Sequence, residues 1–246
     1  MATPRLFVDG PLTGSSHRLP QESAHYLTRV LRLRPGAEVT LFDGRGGEWL
    51  CRLLTADKHV DVESVEWRPG VPEPLFPVVL VQGLAKAQAM EWVVQKGVEL
   101  GMTALLPLVT SRSVPRPRGD HEGNLRWERI AREAAEQCGR TVVPRIHPPV
   151  GWEALAGLLP PGKRWLFWEE ARNAAGWSGW GGPLAEEGVS LLVGPEGGLS
   201  ASEVVQAQAL GFEKVGLGPR ILRTETAALA ALAALQSRWG ERTPAG

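Results

Sequence analysis

Two glycine-containing segments in the C-terminal half of the chain have the composition of ligand-binding loops. The first, residues 194–198, reads Gly-Pro-Glu-Gly-Gly and follows the apolar run 189–193. Ligands of parallel α/β sheets bind beyond the carboxyl ends of strands, and glycine there lets backbone amides approach a ligand without interference from a Cβ atom. The spacing is not GxGxxG, so a Rossmann-type dinucleotide site is not indicated. An ordinary strand-to-helix turn stays an open alternative.

The second segment, residues 217–227, also lies between a short strand and a helix, and it carries two arginines. Arg220 and Arg223 are costly to hold in such a loop unless they contact something, either an anionic ligand or acidic side chains of the protein. Thr224 is the predicted N-cap of the following helix. Glu225 would lie in its first turn, where a negative charge is favourable.

Two further groups of basic residues could contact a polyanion. Lys86 precedes a predicted helix over residues 90–100, and residues 112–145 hold eight arginines and five acidic residues. Arg112 and Arg140 lie near the two ends of this second group. Arginine suits bidentate contacts with phosphate, but a solvated surface explains each of these residues equally well.

The elements that would position these segments alternate between strands and helices. Apolar runs predict buried strands, and stripes of apolar residues at helical spacing predict helices. Ser200 and Glu203 have the spacing of a capping box, which predicts a helix start there. The predicted strands cover residues 78–81, 104–109, 164–168, 189–193 and 215–217, and the other helices cover 90–100, 124–138 and 224–239. This alternation predicts an α/β domain with a mostly parallel sheet over residues 75–240.

Residues 1–70 have a different pattern, which predicts a small β-rich domain. Polar and apolar residues alternate over 38–42 and 59–65, and residues 49–54 are predicted as the strand that returns after the glycines at 44–47. Short strands joined by glycine turns indicate a small barrel. A short helix is predicted over 22–33, ended by Pro35 and Gly36. Residues 68–74, which contain three prolines, would form a stiff linker between the two parts.

Composition excludes several classes of protein. The chain has 246 residues and a formal net charge of zero, so any RNA site must come from local clustering of charge. Its two cysteines lie far apart and predict neither a disulfide framework nor a zinc site, so we expect no metal. No apolar run is long enough for a membrane span, and the N-terminus lacks the apolar core of a signal peptide. We therefore expect a cytoplasmic protein without membrane partners.

Taken together, these segments resemble the RsmE family, the 16S rRNA (uracil N3)-methyltransferases. Residues 194–198 and 217–227 are similar to the last two signature segments of that family, and the pair is more specific than either alone. Residues 90–101, Arg112-Ser113 and 135–140 resemble its middle segments. Residues 25–27, 30–32 and 42–44 resemble its N-terminal RNA-binding domain, and residues 5–8 resemble its start. The resemblance covers nearly the whole chain in order.

The resemblance implies a PUA-like β-barrel over residues 1–70 and a SPOUT domain with a deep trefoil knot over residues 75–240. It implies a homodimer that binds S-adenosylmethionine (SAM) in the knot loops, largely through backbone groups, and releases S-adenosylhomocysteine. Two departures are visible: Ala89 stands where the family often has a basic residue, and the Gly/Trp-rich stretch around Trp177 and Trp180 has no counterpart. The cofactor-binding residues implied are Trp168, Gly194, Pro195, Glu196, Gly197, Gly198, Leu217, Gly218, Ile221, Leu222 and Thr224.

The reaction implied by the resemblance is methylation of N3 of a uridine in 16S rRNA of the 30S subunit. Loss of the N3 proton leaves negative charge on the base, and we assign its stabilisation to Arg220 or Arg223 as the catalytic residues. The predicted RNA-binding residues are Arg5, Arg29, Arg32, Arg34, Lys86, Arg112 and Arg140. Two alternatives stay open: a SPOUT enzyme acting on ribose 2′-OH, and a non-catalytic RNA-binding or ribosome-assembly protein.

Overall fold

The computed structural model describes residues 3–12, 14–56, 59–114, 121–173 and 187–239. Its backbone contacts divide the chain into two compact units. The first comprises Met1–Glu73 together with Arg132–Val143, and the second comprises Pro74–Ala131 together with Pro144–Gly246. The boundary predicted near residue 70 separates two consecutive parts of the chain. The first unit also includes the later segment Arg132–Val143, which packs with the N-terminal strands.

The first unit is built on a five-stranded sheet. Its strands are β1 (Arg5–Phe7), β2 (Ser16–Arg18), β3 (Glu38–Phe42), β4 (Glu48–Leu53) and β5 (Asp61–Arg68), in the order β1-β3-β4-β5-β2. β1 pairs with β3 in parallel, and the other neighbours are antiparallel. The three strands predicted over 38–42, 49–54 and 59–65 are present within a few residues. β1 and β2 were not predicted, because three-residue strands are too short to show a period.

The helix predicted over residues 22–33 is shorter than expected. Helix α1 (Gln21–His25) continues as a π-helical turn, Tyr26–Val30. The amide of Leu33 then donates to the carbonyl of Leu27 at 2.9 Å, and Arg32 between them has a φ of 54°. A left-handed residue with this bond pattern ends a helix. The chain therefore leaves the helix at Arg32, before the proline that was expected to end it.

Hydrogen bonds of Arg5 connect the segment Arg132–Val143 to the N-terminal strands of the first unit. The Arg5 guanidinium donates to the carboxylate of Glu48 at 2.6 Å and to four carbonyls at the end of this segment's helix, those of Ala135, Glu136, Gly139 and Arg140, at 3.0–3.3 Å. These contacts satisfy carbonyls that the end of a helix leaves without partners. The side chain of Glu136 in turn accepts the amide of Phe7 at 2.8 Å.

The second unit contains a six-stranded sheet in which all neighbouring strands are parallel. Its strands are β6 (Val78–Gly83), β7 (Ala104–Leu108), β8 (Arg145–Ile146), β9 (Lys163–Phe167), β10 (Val189–Val193) and β11 (Glu213–Val215), in the order β11-β9-β10-β6-β7-β8. The predicted α/β class with a parallel sheet is confirmed. β8 and the short helix α4 (Trp152–Leu155) were not predicted, since two and four residues carry too little pattern.

Helices α2 (Ala87–Glu99), α3 (His121–Cys138), α5 (Ala201–Ala209) and α6 (Thr224–Trp239) complete the fold, with a 3₁₀ turn over Glu169–Asn173. The capping box of α5 is present as predicted, with Ser200 and Glu203 bonded reciprocally. Every residue of β6 and β10 is buried, as expected for strands covered on both faces. None of the described helices is long and apolar enough to cross a membrane.

The sheet has a topological switch between β6 and β10. These strands are neighbours, but the chain leaves β6 toward β7 on one side and leaves β10 toward β11 on the other. A crevice forms beyond the carboxyl ends of strands at such a point. The Gly/Trp-rich stretch around Trp177 and Trp180 lies outside the described residues, and the trefoil knot stays a prediction.

Candidate active site

A cavity of about 1230 Å³ lies at the carboxyl ends of β6, β9, β10 and β11, in the second unit. Four segments of chain that follow these strands form its wall, and helices α2 and α6 contribute one side. Both glycine-containing segments singled out in the sequence line it. The predicted residues among its lining are Lys86, Trp168, Gly194, Pro195, Glu196, Gly198, Leu217, Gly218, Arg220, Ile221, Leu222, Arg223 and Thr224.

Residues 194–198 form a tight turn that closes over the end of β6. The amide of Gly198 donates to the carbonyl of Pro195 at 2.9 Å, and Gly198 has a φ of 70°, which favours glycine. A Cβ atom on Gly83 would lie 2.5 Å from the ring of Pro195, so the turn can approach β6 this closely only at a glycine. The side chain of Glu196 accepts the backbone amide of Lys86 at 3.0 Å. The turn is therefore fixed to the loop that follows β6.

Gly197 is the one predicted cofactor residue that does not line the cavity. Its carbonyl accepts the guanidinium of Arg112 at 2.8 Å, and a Cβ atom there would lie 3.1 Å from the Cβ of Arg112. Gly197 thus lets the Arg112 side chain pack against the outside of the turn. The glycine in this position serves a protein contact in the structure.

Sequence reasoning missed the role of Glu203 beyond its capping box. Its buried carboxylate accepts hydrogen bonds from the amide and hydroxyl of Ser111, at 2.7 and 3.0 Å, as well as from Ser200. Burial alone would raise the pKa of Glu203, but these hydrogen bonds outweigh it and leave the pKa below its ordinary value. Glu203 therefore joins the start of α5 to the loop that carries Arg112.

Arg220 and Arg223 lie in the segment between β11 and α6, and both are exposed at the cavity. Within the described part of the chain, no hydrogen bond or ion pair engages either guanidinium group. The ion pairing that could have explained two arginines in this loop is thus not observed there. Ile221 between them is 64% exposed, which places an apolar side chain at the mouth of the cavity.

Thr224 does not cap its own helix, contrary to the prediction. It is the first residue of α6, and its buried hydroxyl donates to the carbonyl of Gly194 at 2.5 Å. The same hydroxyl accepts the side-chain amide of Gln82, on β6, at 2.8 Å. The hydroxyl thus joins three segments that are far apart in the sequence.

The predicted RNA-binding residues divide into two groups. Arg5 uses its donors on Glu48 and on helix carbonyls, and Arg140 is 5% exposed and bonds the carboxylate of Glu73 through two nitrogens. We leave these two out of any RNA surface, because their side chains are only 17% and 7% exposed and their guanidinium groups bond protein partners. Arg29, Arg32 and Arg34 are exposed in the first unit, and among the described residues no hydrogen bond or ion pair engages their side chains. Lys86 and Arg112 are exposed in the second unit.

The described ranges contain no group of three or more His, Cys, Asp or Glu side chains that could hold a metal ion. Cys51 is buried, and burial raises the pKa of its thiol to about 11. A thiol with so high a pKa is protonated at neutral pH and does not act as a nucleophile.

Comparison with known proteins gives a consistent result over both units. A family model described as an RNA methyltransferase domain matches residues 71–236, and one described as an RNA methyltransferase PUA domain matches residues 19–63. The ribosomal RNA small subunit methyltransferase E of Bacillus subtilis is 35% identical over 222 residues, which cover 87% of this chain and 87% of the relative.

Two solved structures resemble the whole chain. The ribosomal RNA small subunit methyltransferase E of Neisseria gonorrhoeae, bound to S-adenosyl methionine, has a TM-score of 0.88 at 33% identity and covers 97% of this chain and 98% of its own. A protein of Legionella pneumophila in complex with SAM has a TM-score of 0.86 at 31% identity, with the same coverage of both chains.

Proposed function

Because the chain belongs to the ribosomal RNA small subunit methyltransferase E family, we propose that it transfers a methyl group from SAM to N3 of a uridine in 16S rRNA. The observation that carries the proposal is the cavity at the switch point, where the glycine turn 194–198 and the arginine segment 217–227 meet. The membership agrees with the resemblance seen in the sequence motifs, and the two SAM-bound relatives support the choice of cofactor.

The residues of the cavity fit SAM. Pockets for drug-sized ligands measure about 300–1,000 Å³, so a cavity of about 1230 Å³ can hold a molecule of this size and leave space for a base. Trp168, Leu217 and Leu222 offer an apolar wall for an adenine ring, and the turn 194–198 offers backbone groups at a point where Cβ atoms are absent. When bound, SAM supplies an electrophilic methyl group.

The remaining chemistry falls to the chain's own residues. Uracil N3 carries a proton at neutral pH and pairs inside helices, so the base must leave its stack and lose that proton. The negative charge then spreads onto O2 and O4, and guanidinium groups held near these oxygens stabilise it. Arg220, Arg223 and Lys86 are the cations of the described cavity wall, and no acidic side chain of the described residues pairs with the side chain of any of them. A guanidinium offers a planar fork of donors that an ammonium lacks, which supports giving the role to the two arginines.

The RNA would be held largely through its phosphates. Arg29, Arg32 and Arg34 in the first unit, and Lys86 and Arg112 in the second, are exposed cations suited to such contacts. Phosphate contacts position an RNA without reading its sequence, so the choice of uridine depends on the fit at the cavity. These five residues replace the seven predicted from the sequence.

A homodimer is part of the proposal. α2 and α6 pack together in the second unit, and the side they present beside the cavity includes Trp92, which is 53% exposed. Ile221 adds a second exposed apolar side chain to the same wall. A second copy of the chain would cover this apolar surface. Light scattering after size exclusion tests the point, since a monomer at micromolar concentration contradicts it.

The reaction is tested by methyl transfer from labelled SAM to 30S subunits that lack modifications, followed by mass spectrometry of the nucleosides. We expect 3-methyluridine as the product. A 2′-O-methyl nucleoside would instead establish the ribose-modifying alternative. SAM binding without transfer to this substrate would contradict the choice of RNA, and no SAM binding at all would favour a non-catalytic RNA-binding protein.

The arginine roles are tested with Arg220→Ala and Arg223→Ala in the same assay. Loss of a transition-state charge contact typically lowers kcat about 100- to 1,000-fold, so we expect at least one variant to show a loss of this size while SAM binding is kept. Arg238→Ala, near the far end of α6, is the control and should retain turnover. Near-full turnover in both loop variants would refute the assignment.

A further inference from the structure

Gln82 is a buried polar residue that follows four apolar residues in strand β6. β6 runs Val-Val-Leu-Val-Gln-Gly, all of it buried, and Gln82 has 0% exposure. Its Nε2 atom donates to the hydroxyl of Thr224 at 2.8 Å and to the carbonyl of Gly83 at 3.0 Å. A buried amide costs stability unless it is hydrogen-bonded. Leucine or methionine in this position would avoid that cost.

The hydrogen bonds of this group have a defined direction. The Thr224 hydroxyl accepts a hydrogen bond from Nε2 of Gln82 and donates one to the carbonyl of Gly194 at 2.5 Å. Gln82 also lies 3.4 Å from the same carbonyl. Because Gly83 and Gly194 offer only carbonyl oxygens here, the amide cannot be turned around, and its oxygen is left without a partner among the described atoms. The arrangement therefore forms although one polar atom remains unsatisfied.

The carbonyl of Gly194 has a particular importance for the turn. The next residue is proline, which has no N–H. The carbonyl is therefore the only hydrogen-bonding group of the peptide between Gly194 and Pro195, and its partner fixes the plane of that peptide. The tight turn that lines the cavity begins at this peptide, since the carbonyl of Pro195 accepts the amide of Gly198.

Thr224 stands at the end of the other cavity segment. It follows directly after Arg223 and begins α6, so its position sets where the arginine segment ends. One hydroxyl thus fixes both walls of the cavity to each other and to β6. We propose that Gln82 and Thr224 are positioning residues, whose side-chain hydrogen bonds hold the glycine turn and the arginine segment in their ligand-binding arrangement. This inference rests on the proposed function, because SAM is the ligand used to test it.

Thr224→Val tests the proposal, since valine keeps the shape of threonine and removes both hydrogen bonds. Two net hydrogen bonds correspond to about a tenfold or greater change in an equilibrium constant. We expect SAM to bind about tenfold more weakly by calorimetry, with kcat lowered as well because Arg223 is displaced. Thr224→Ser keeps the hydroxyl and should restore both values to within about threefold of the original chain.

Gln82→Met tests the other half of the pair. Methionine fills a similar volume and cannot donate, so SAM binding should weaken while the thermal midpoint stays equal or rises, because the unsatisfied amide oxygen is gone. A role in folding alone would lower the midpoint and leave SAM binding unchanged.

Thr103→Val is the matched control. Its hydroxyl bonds the backbone of Val78 at the opposite, amino end of the same strand, so the substitution removes a comparable pair of bonds far from the cavity. It should lower the thermal midpoint and leave SAM affinity intact. Unchanged SAM binding in Thr224→Val and Gln82→Met would overturn the proposal. Absence of SAM binding in the unmodified chain would refute the proposed function instead, so the two failures are distinguishable.

Discussion

Replacement of Arg32 by glycine should stabilise the protein and weaken its binding to RNA. Arg32 is the only non-glycine residue with a positive φ in the described part of the chain, at 54°, and it ends the helical segment of the first unit. Helices usually end on glycine in this conformation, since glycine has no Cβ atom to clash. The position therefore holds a residue that its backbone disfavours, and its side chain is exposed.

The magnitude follows from two opposing contributions. A left-handed conformation costs a residue with a Cβ atom about 1–2 kcal/mol. Glycine loses more backbone entropy on folding, which offsets about 0.5–1 kcal/mol of that gain. The net gain of about 0.5–1 kcal/mol corresponds to a rise of about 1–4 °C in the thermal midpoint for a chain of this size. A plot of log affinity against log salt concentration has a negative slope, and loss of one phosphate contact should make that slope shallower by about 0.7.

The assay combines calorimetry with titration of 30S subunits at several salt concentrations. Arg32→Lys keeps both the charge and the left-handed residue, so its midpoint should match the original and much of its affinity should remain. Arg34→Gly removes an exposed arginine from ordinary backbone and should weaken binding without raising the midpoint. A lower midpoint in Arg32→Gly, or an unchanged affinity for subunits, would refute the reasoning.

Three further predictions concern buried or partly buried charges in the structure. Burial raises the pKa of Glu136 despite the hydrogen bond from Phe7. The contribution of Glu136 to stability is therefore present below the pKa of the unfolded chain and is lost as pH rises through the folded pKa. Glu136→Gln should raise the thermal midpoint at neutral pH but not in acid. The pKa of Glu203 is lowered, so its contribution is lost as pH falls, and Glu203→Gln should lower the midpoint at neutral pH and flatten the acid side of the profile. Arg140→Ala leaves the Glu73 carboxylate partly buried without its partner and should cost about 3–5 kcal/mol in chemical denaturation; the double variant with Glu73→Gln should regain part of that loss, and no regain would show that packing rather than charge was lost.

The active site depends on one property of parallel sheets. The loops after β6, β9, β10 and β11 begin at positions as far apart in the sequence as those after Gly83 and Val215, but the carboxyl ends of parallel strands share an edge. Two short motifs that look unremarkable singly therefore become two walls of one cavity. The position of each motif between a strand and a helix therefore predicts the ligand site better than the residues of either motif alone.

The sequence by itself determined the elements whose pattern is local. The strands at 38–42 and 189–193, the helix 224–239 and the capping box at Ser200 occur where the periodicity and cap residues predict them. The cavity position followed as well, because a buried strand leading into a glycine turn has one orientation in an α/β sheet. In each case the physical cause lies within a few residues of the effect.

Only the tertiary structure decided how particular polar side chains are used. Arg5 was expected on RNA, but its partners include carbonyls 130 or more residues away, which cover its guanidinium. Thr224 was expected to cap α6, but its hydroxyl bonds a carbonyl 30 positions earlier and an amide 142 positions earlier. A hydrogen bond to a distant partner leaves no periodic trace in the sequence, because it depends on which strands become neighbours in the folded sheet.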